Sequence, residues 1–68
     1  MKVFAKRLKE LRKERGYSQK QFADILHIRQ QSYARYELET SEPSYEMLVV
    51  IAKHFDVSTD FLLGLAEC

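Results

Sequence analysis

Residues 18–37 read SQKQFADILHIRQQSYARYE, which gives two helical patterns separated by a break near His27. Ser18, followed three residues later by Gln21, fits a capping box, in which each side chain bonds the backbone N–H of the other residue. Apolar residues then recur on one side of a helix that runs to about Leu26. These residues are Phe22, Ala23 and Leu26. The first half of the stretch therefore predicts a short helix with a defined start.

The second half predicts another helix over residues 30–37, and its first turn is polar. Tyr33 and Tyr36 fall on its inner side as core residues. At about 100° per residue, Gln31 and Arg35 fall on the opposite side. This polar surface is either a plain solvated face or a surface that contacts a partner.

The sequence on either side adds three more helices and no strand, because no segment alternates with a period of two residues. The first helix ends near Arg15, where Gly16 suits a left-handed C-terminal turn. Its basic run is expected to form a solvated face, and consists of Lys6, Arg7, Lys9, Lys13 and Arg15. After a polar loop, Ser44 caps a fourth helix and Ser58 caps a short fifth one. The apolar stripes of these helices are Phe4, Leu8 and Leu11, then Leu48, Ile51, Ala52 and Phe55, then Phe61, Leu62 and Leu65. We therefore expect one all-α domain of five helices over residues 1–68.

Charge is divided unevenly between the two halves of the chain. Residues 1–35 carry ten Lys/Arg and three Asp/Glu, a net charge of +7, whereas residues 36–68 carry one Lys and seven Asp/Glu, a net charge of −6. Such a division suits a face that binds a polyanion, and it equally suits two halves that attract each other in the fold.

Several classes of protein are disfavoured by what the sequence lacks. The longest apolar run, residues 47–52, has six residues, whereas a membrane-spanning helix needs about 20. The one cysteine, Cys68, permits no internal disulfide, and His27 and His54 stand apart from any zinc-site spacing. No nucleophile–base set is present either. We therefore expect a cytoplasmic protein without cofactor or metal that is not an enzyme.

Five short motifs stand in order along the chain. They are LR at 11–12, SQKQFADIL at 18–26, QQSYARYE at 30–37, PS at 43–44 and VSTDFLLG at 57–64. Together they resemble the phage Cro/repressor-type helix-turn-helix domain, the XRE family, over residues 8–64. The resemblance implies a lambda-repressor-like fold of five helices that binds double-stranded DNA, with QQSYARYE as the recognition helix.

The resemblance also implies roles for individual residues. It assigns base contacts to Gln30, Gln31 and Ser32, and a contact with either a base or a phosphate to Arg35. It assigns a phosphate contact and a brace on the recognition helix to Gln19, and a buried ion pair to Arg12 and Glu37. The chemistry agrees, since glutamine can pair with adenine and arginine with guanine in the major groove. Lys20 and Arg29 can bind phosphates, together with backbone N–H groups at the two helix starts.

Three positions depart from the family pattern. His27 stands where the family has a glycine, at a position that tends to need a positive φ. Arg29 replaces the usual Ser/Thr cap, which costs the recognition helix about 1 kcal/mol of capping. The loop after this helix, residues 38–42, carries two glutamates instead of glycine and lysine, so its contacts with phosphates are in question.

We therefore expect a transcription regulator, a repressor, that reads DNA sequence with the helix at 30–37. One such helix reads only a few base pairs, so we expect a homodimer through the C-terminal helix at residues 61–66. Two alternatives stay open. The first is an antitoxin-type DNA-binding protein whose acidic half binds a protein partner. The second is a protein-interaction module on the same fold that has lost DNA binding.

Overall fold

The computed structural model describes residues 2–67, and Cys68 lies outside them. The chain forms five helices in this range and no strand, which confirms the predicted all-α class. The helices are α1 (Lys2–Glu14), α2 (Gln19–Ile25), α3 (Gln30–Glu37), α4 (Tyr45–Phe55) and α5 (Thr59–Leu62).

Serine hydroxyls cap the N-termini of three of the helices, as predicted. Ser18 Oγ accepts a hydrogen bond from Gln21 N at 3.0 Å, and Gln21 Oε1 accepts one from Ser18 N at 2.8 Å, so the capping box is complete. Ser44 and Ser58 each cap a helix through the backbone N–H three residues on. Arg29 occupies the same position before α3 but makes no side-chain cap bond. The loss of capping predicted at Arg29 is thus confirmed.

Each helix within residues 2–67 ends in a Schellman motif, with a residue of positive φ after its last turn. Two backbone hydrogen bonds close each motif, for example from His27 N to Asp24 O and from Ile28 N to Ala23 O. The positive-φ residues are Gly16, His27, Glu39, Asp56 and Gly64. Only two of these five are glycines, although left-handed backbone favours glycine. The prediction of a positive φ at His27 is confirmed.

The core forms around Phe22, which is completely buried. Its ring packs edge-on against Tyr33 at a centroid distance of 5.4 Å and at a tilt against Phe55 at 5.0 Å. Tyr17 stacks on the Phe22 ring at 5.6 Å, and the ring of His54 lies at a tilt 5.4 Å from it. The predicted stripes of α1, α2 and α4 supply most of the other buried residues, which include Phe4, Leu8, Ala23, Leu26, Leu48, Ile51 and Ala52.

The C-terminal end differs from the prediction in two ways. Leu65 was expected on the buried stripe of the last helix, but α5 ends at Leu62 and Leu65 is 76% exposed. The reason is the left-handed turn at Gly64, which sends the chain away from the helix axis. Arg7 was expected on a solvated basic face. Its guanidinium instead lies 4.2 Å from the ring centre of Phe61 and donates to the carbonyls of Phe61 and, at 2.9 Å, Ala66.

Candidate nucleic-acid interface

The orientation of α3 is fixed by one buried aromatic residue, Tyr33, and its outward face is polar. Tyr33 is completely buried, and Gln31 and Arg35 lie about 160° from it around the helix and are exposed. Gln30 is exposed in the first turn, and Ser32 is half-buried beside it. The packing of Tyr33 therefore fixes which side chains α3 presents to solvent.

The polar side chains on this face have no hydrogen-bond partner within the described residues. Within the described part of the chain, residues 30–32 and Arg35 make no side-chain hydrogen bond or ion pair. Their amide, hydroxyl and guanidinium groups therefore keep their donors and acceptors for an external partner. Glutamine and arginine each offer the paired geometry that suits the major-groove edge of a purine.

The C-terminal end of α3 is anchored to α1 and α2 through the buried carboxylate of its last residue, Glu37. Arg12 Nε donates to Glu37 Oε2 at 2.7 Å, and the two side chains are 9% and 4% exposed. Tyr33 Oη donates to the same oxygen at 2.5 Å, while Gln19 Nε2 donates to Oε1 at 3.2 Å. Arg12 Nη1 also donates to the Tyr17 carbonyl at 2.7 Å. The Glu37 carboxylate therefore joins α1, α2 and α3.

Burial and hydrogen bonding act in opposite directions on this group. Burial alone would raise the pKa of Glu37, but hydrogen bonds from Arg12, Tyr33 and Gln19 outweigh it and hold that pKa below its ordinary value. The pKa of Tyr33 is raised, first by burial and then by its bond to the Glu37 carboxylate. Glu37 is thus held as an anion and Tyr33 as a neutral donor at neutral pH.

Gln19 stands at the first position of α2, and its amide nitrogen is engaged with Glu37. This is the brace between α2 and α3 that the resemblance implies. Its amide oxygen and the backbone N–H groups of Gln19 and Lys20 have no hydrogen-bond partner within residues 2–67, whereas the N–H of Gln21 is bonded to Ser18 Oγ.

Lys20 and Arg29 are both exposed, at the start of α2 and directly before α3. Lys20 Nζ lies 3.2 Å from Asp24 Oδ2, but the two side chains are 70% and 65% exposed. A surface pair of this kind contributes about 0–1 kcal/mol, so a phosphate can displace it readily. Arg29 has no side-chain partner within residues 2–67.

The loop after α3 presents acidic groups to solvent. Glu39 and Glu42 are exposed, and Glu39 holds the positive φ of 66° that ends α3. Neither carboxylate has an ion-pair partner in the described range. Negative charge here disfavours an approach of this loop to a phosphate backbone.

Some contributors to the site escaped the sequence interpretation. Tyr33 was predicted as a core residue, but its hydroxyl also orients Glu37. The spacing of four residues between them, one helical turn, was the available indication. The carbonyl of Tyr17 had none, because its contact with Arg12 depends on how the α1–α2 turn folds back.

Within residues 2–67, no helix is long and apolar enough to cross a membrane.

Comparison with known proteins connects this geometry to a family. A family model described as Helix-turn-helix matches residues 8–62. A prophage-derived HTH-type transcriptional regulator, YonR of Bacillus subtilis, is 44% identical over 61 residues, which cover 90% of this chain and 56% of YonR. The HTH-type transcriptional regulator ImmR of the same organism is 40% identical over 62 residues, or 91% of this chain and 49% of ImmR.

A third relative is the antitoxin PezA of Streptococcus pneumoniae, which is 37% identical over 62 residues, or 91% of this chain and 39% of PezA. The chain thus spans about half the length of the curated regulators that it matches. The matched range holds α2, α3 and the buried Arg12–Glu37 pair, and its helices follow one another in the predicted order. The chain belongs to the helix-turn-helix family, of the Cro/repressor type found in transcription regulators.

Proposed function

We propose that this chain is the sequence-specific DNA-binding domain of a transcription regulator, a repressor, and that α3 reads base edges in the major groove. The observation that carries the proposal is the unoccupied polar face of α3, opposite the buried Tyr33. An α-helix fits the major groove, and a helix with a fixed inward face enters it in one orientation.

The residues divide into two groups by what they contact. Gln30, Gln31, Ser32 and Arg35 meet base edges, with Arg35 also within reach of a phosphate. Lys20, Arg29 and the first turn of α2, where Gln19 lies, meet the phosphate backbone. The Arg12–Glu37 pair touches neither and holds α3 in place.

We expect each half-site of the operator to bind one copy, since four side chains read only a few base pairs. The exposed Leu65 and its neighbours in residues 61–66 form the contact between copies. We also expect this regulator to act in the cytoplasm and to catalyse no reaction.

Alanine substitution at single glutamines tests base reading. An operator is first selected from a random pool of duplexes. We expect Gln30→Ala and Gln31→Ala each to lose about 1–3 kcal/mol on this operator and little on random duplex, because only base contacts carry sequence information.

Gln21→Ala is the matched control, since Gln21 is also an exposed glutamine but lies on α2 in the capping box. It should lower the unfolding temperature and leave the preference for the operator unchanged. Equal losses on operator and random duplex for the two α3 variants would refute base reading.

The likeness to PezA supports a second candidate, an antitoxin that binds DNA and also a protein partner. The acidic residues 36–68 are then the partner surface. Stable co-purification with the product of an adjacent gene, lost when Glu39 and Glu42 are replaced by glutamine, would favour this candidate over a regulator without such a partner.

A further inference from the structure

Four lysines form one face of α1. Lys2, Lys6, Lys9 and Lys13 follow one another at spacings of four, three and four residues, so they lie within about 60° of arc around the helix. All four are exposed. We call them the α1 lysine face, which extends about 16 Å along the helix axis.

The α1 lysine face has no partner within residues 2–67. The ion pairs in this range join Arg12 to Glu37 and Lys20 to Asp24, and the side-chain hydrogen bonds include none of the four lysines. Like charges three or four residues apart destabilise a helix. The face therefore weakens α1 unless something negative binds it.

The N-terminal part of this face borders the end of α3. Lys2, Lys6 and Lys9 line an open depression of about 410 Å³ together with Glu37 and Glu39. The Glu37 carboxylate is taken up by Arg12, Tyr33 and Gln19. Three ammonium groups therefore face a single unpaired carboxylate in this lining, that of Glu39, and the depression has a net positive charge.

We propose that the α1 lysine face binds the phosphate backbone of the same duplex whose bases α3 reads. This inference rests on the proposed function. When the first turn of α3 points to the base edges, its last turn points toward one wall of the groove, which is a phosphate backbone. The depression lies beside that last turn, because Glu37 at the end of α3 is one of the residues that line it.

The acidic loop strengthens the case for this position. Glu39 and Glu42 repel a phosphate backbone that approaches residues 39–42, so that side of the interface needs a cation from elsewhere. Lysine is suited to this because its ammonium group is a point charge on a flexible stem. The competing occupant is the acidic half of a second copy of this chain.

Salt titrations of binding identify the occupant. The variants are Lys6→Ala and Lys9→Ala, singly and together, with Lys53→Ala as the matched control, since Lys53 is an exposed lysine on α4. Alanine favours helix, so all variants should fold. Dissociation constants are measured on the selected operator and on random duplex between 50 and 200 mM salt.

We expect each α1 substitution to reduce the slope of log K against log salt by about one. The ratio of the dissociation constants at 200 and 50 mM salt then falls about 3.5-fold for each lysine removed, and about 12-fold for the double variant. Both duplexes should show the same change, because phosphate contacts carry no sequence information. Lys53→Ala should leave the slope unchanged.

Slopes for the α1 variants equal to that of Lys53→Ala would overturn the inference while leaving the proposed function standing. A loss of DNA-free dimers in sedimentation, without a change of slope, would assign the face to the second copy instead. If the unaltered protein binds neither duplex at 50 mM salt, the inference and the proposed function both fail.

Discussion

Two features of the structure require a glycine at position 64: a left-handed backbone conformation and the close approach of a neighbouring side chain. Its φ is +81°, and a Cβ built on it would lie 2.8 Å from Cγ1 of Val3 in the first turn of α1. Gly16 has a similar φ of +73° but no atom within 4 Å of such a Cβ. The two glycines therefore separate the cost of the backbone conformation from the cost of a collision.

We expect Gly64→Ala to destabilise the domain more than Gly16→Ala. Both variants place an L side chain in left-handed backbone, which costs about 1–2 kcal/mol. Gly64→Ala additionally forces Val3 aside, at about 1–3 kcal/mol. Urea unfolding of both variants measures the difference, and equal losses would mean that Val3 moves without cost.

The positive-φ residues also show what single positions in a sequence can predict. The left-handed turns at Gly16 and His27 were predicted from residue type and from the family pattern. Those at Glu39 and Asp56 were not, because glutamate ordinarily avoids this region and a loop residue gives no periodicity to interpret. The backbone there follows from the hydrogen bonds that close α3 and α4.

At the scale of helices, the Glu37 carboxylate is the point where three of them join. Its oxygens accept from Arg12 on α1, Gln19 on α2 and Tyr33 on α3 itself. Loss of this charge leaves the buried guanidinium of Arg12 without its counter-ion, and breaking a buried pair in this way costs about 3–5 kcal/mol. The orientation of α3 depends on the same group.

We expect the stabilisation by Glu37 to depend on pH. Its pKa is lower in the folded than in the unfolded chain, so the unfolded chain binds the proton more tightly. The contribution is complete above the unfolded pKa of about 4.3 and is lost as the pH falls through the folded pKa. The gap in unfolding free energy between the unaltered protein and Glu37→Gln should therefore be largest at pH 7 and should shrink below about pH 4.

Glu14→Gln serves as the control for this experiment, since Glu14 is exposed and makes no ion pair within residues 2–67. Its unfolding free energy should follow that of the unaltered protein across the pH range. A gap for Glu37→Gln that stays constant from pH 7 to pH 3 would show that the carboxylate acts through shape and not through charge.

Helix starts were predictable from the sequence, whereas contacts between distant helices were less so. Ser18, Ser44 and Ser58 act on backbone groups three residues away, so the local sequence contains both partners. The contact of Arg7 with the Phe61 carbonyl joins positions 54 residues apart, and no local pattern indicates it. Gln19 and Glu37 were placed by the family resemblance and not by periodicity.

At the scale of the whole molecule, one domain presents one copy of α3, the helix proposed to read DNA. The described residues measure 28 × 23 × 19 Å, which is less than one turn of duplex DNA, about 34 Å. Two copies can therefore sit on adjacent turns of the same face of the duplex. Contact between them then depends on the distance and rotation that separate their half-sites.

We expect binding to a duplex with two half-sites to depend on their spacing. Half-sites about 10 base pairs apart place both copies on one face and should bind two copies cooperatively. Insertion of about 5 base pairs rotates one copy to the opposite face and should abolish cooperativity while keeping the affinity of each half-site. Quantitative gel-shift titration of both duplexes measures this, and equal cooperativity on the two would exclude the proposed dimer.

The bonds from Arg7 to the carbonyls of Phe61 and Ala66, together with the approach of Gly64 to Val3, bring the start of α1 beside the last described turn. Residues 3 and 64 are neighbours in space, so a short linker could join them and new ends could be opened in the exposed loop at residues 39–42. A fluorophore attached near residue 3 and one attached near residue 64 would also report from the same corner of the domain.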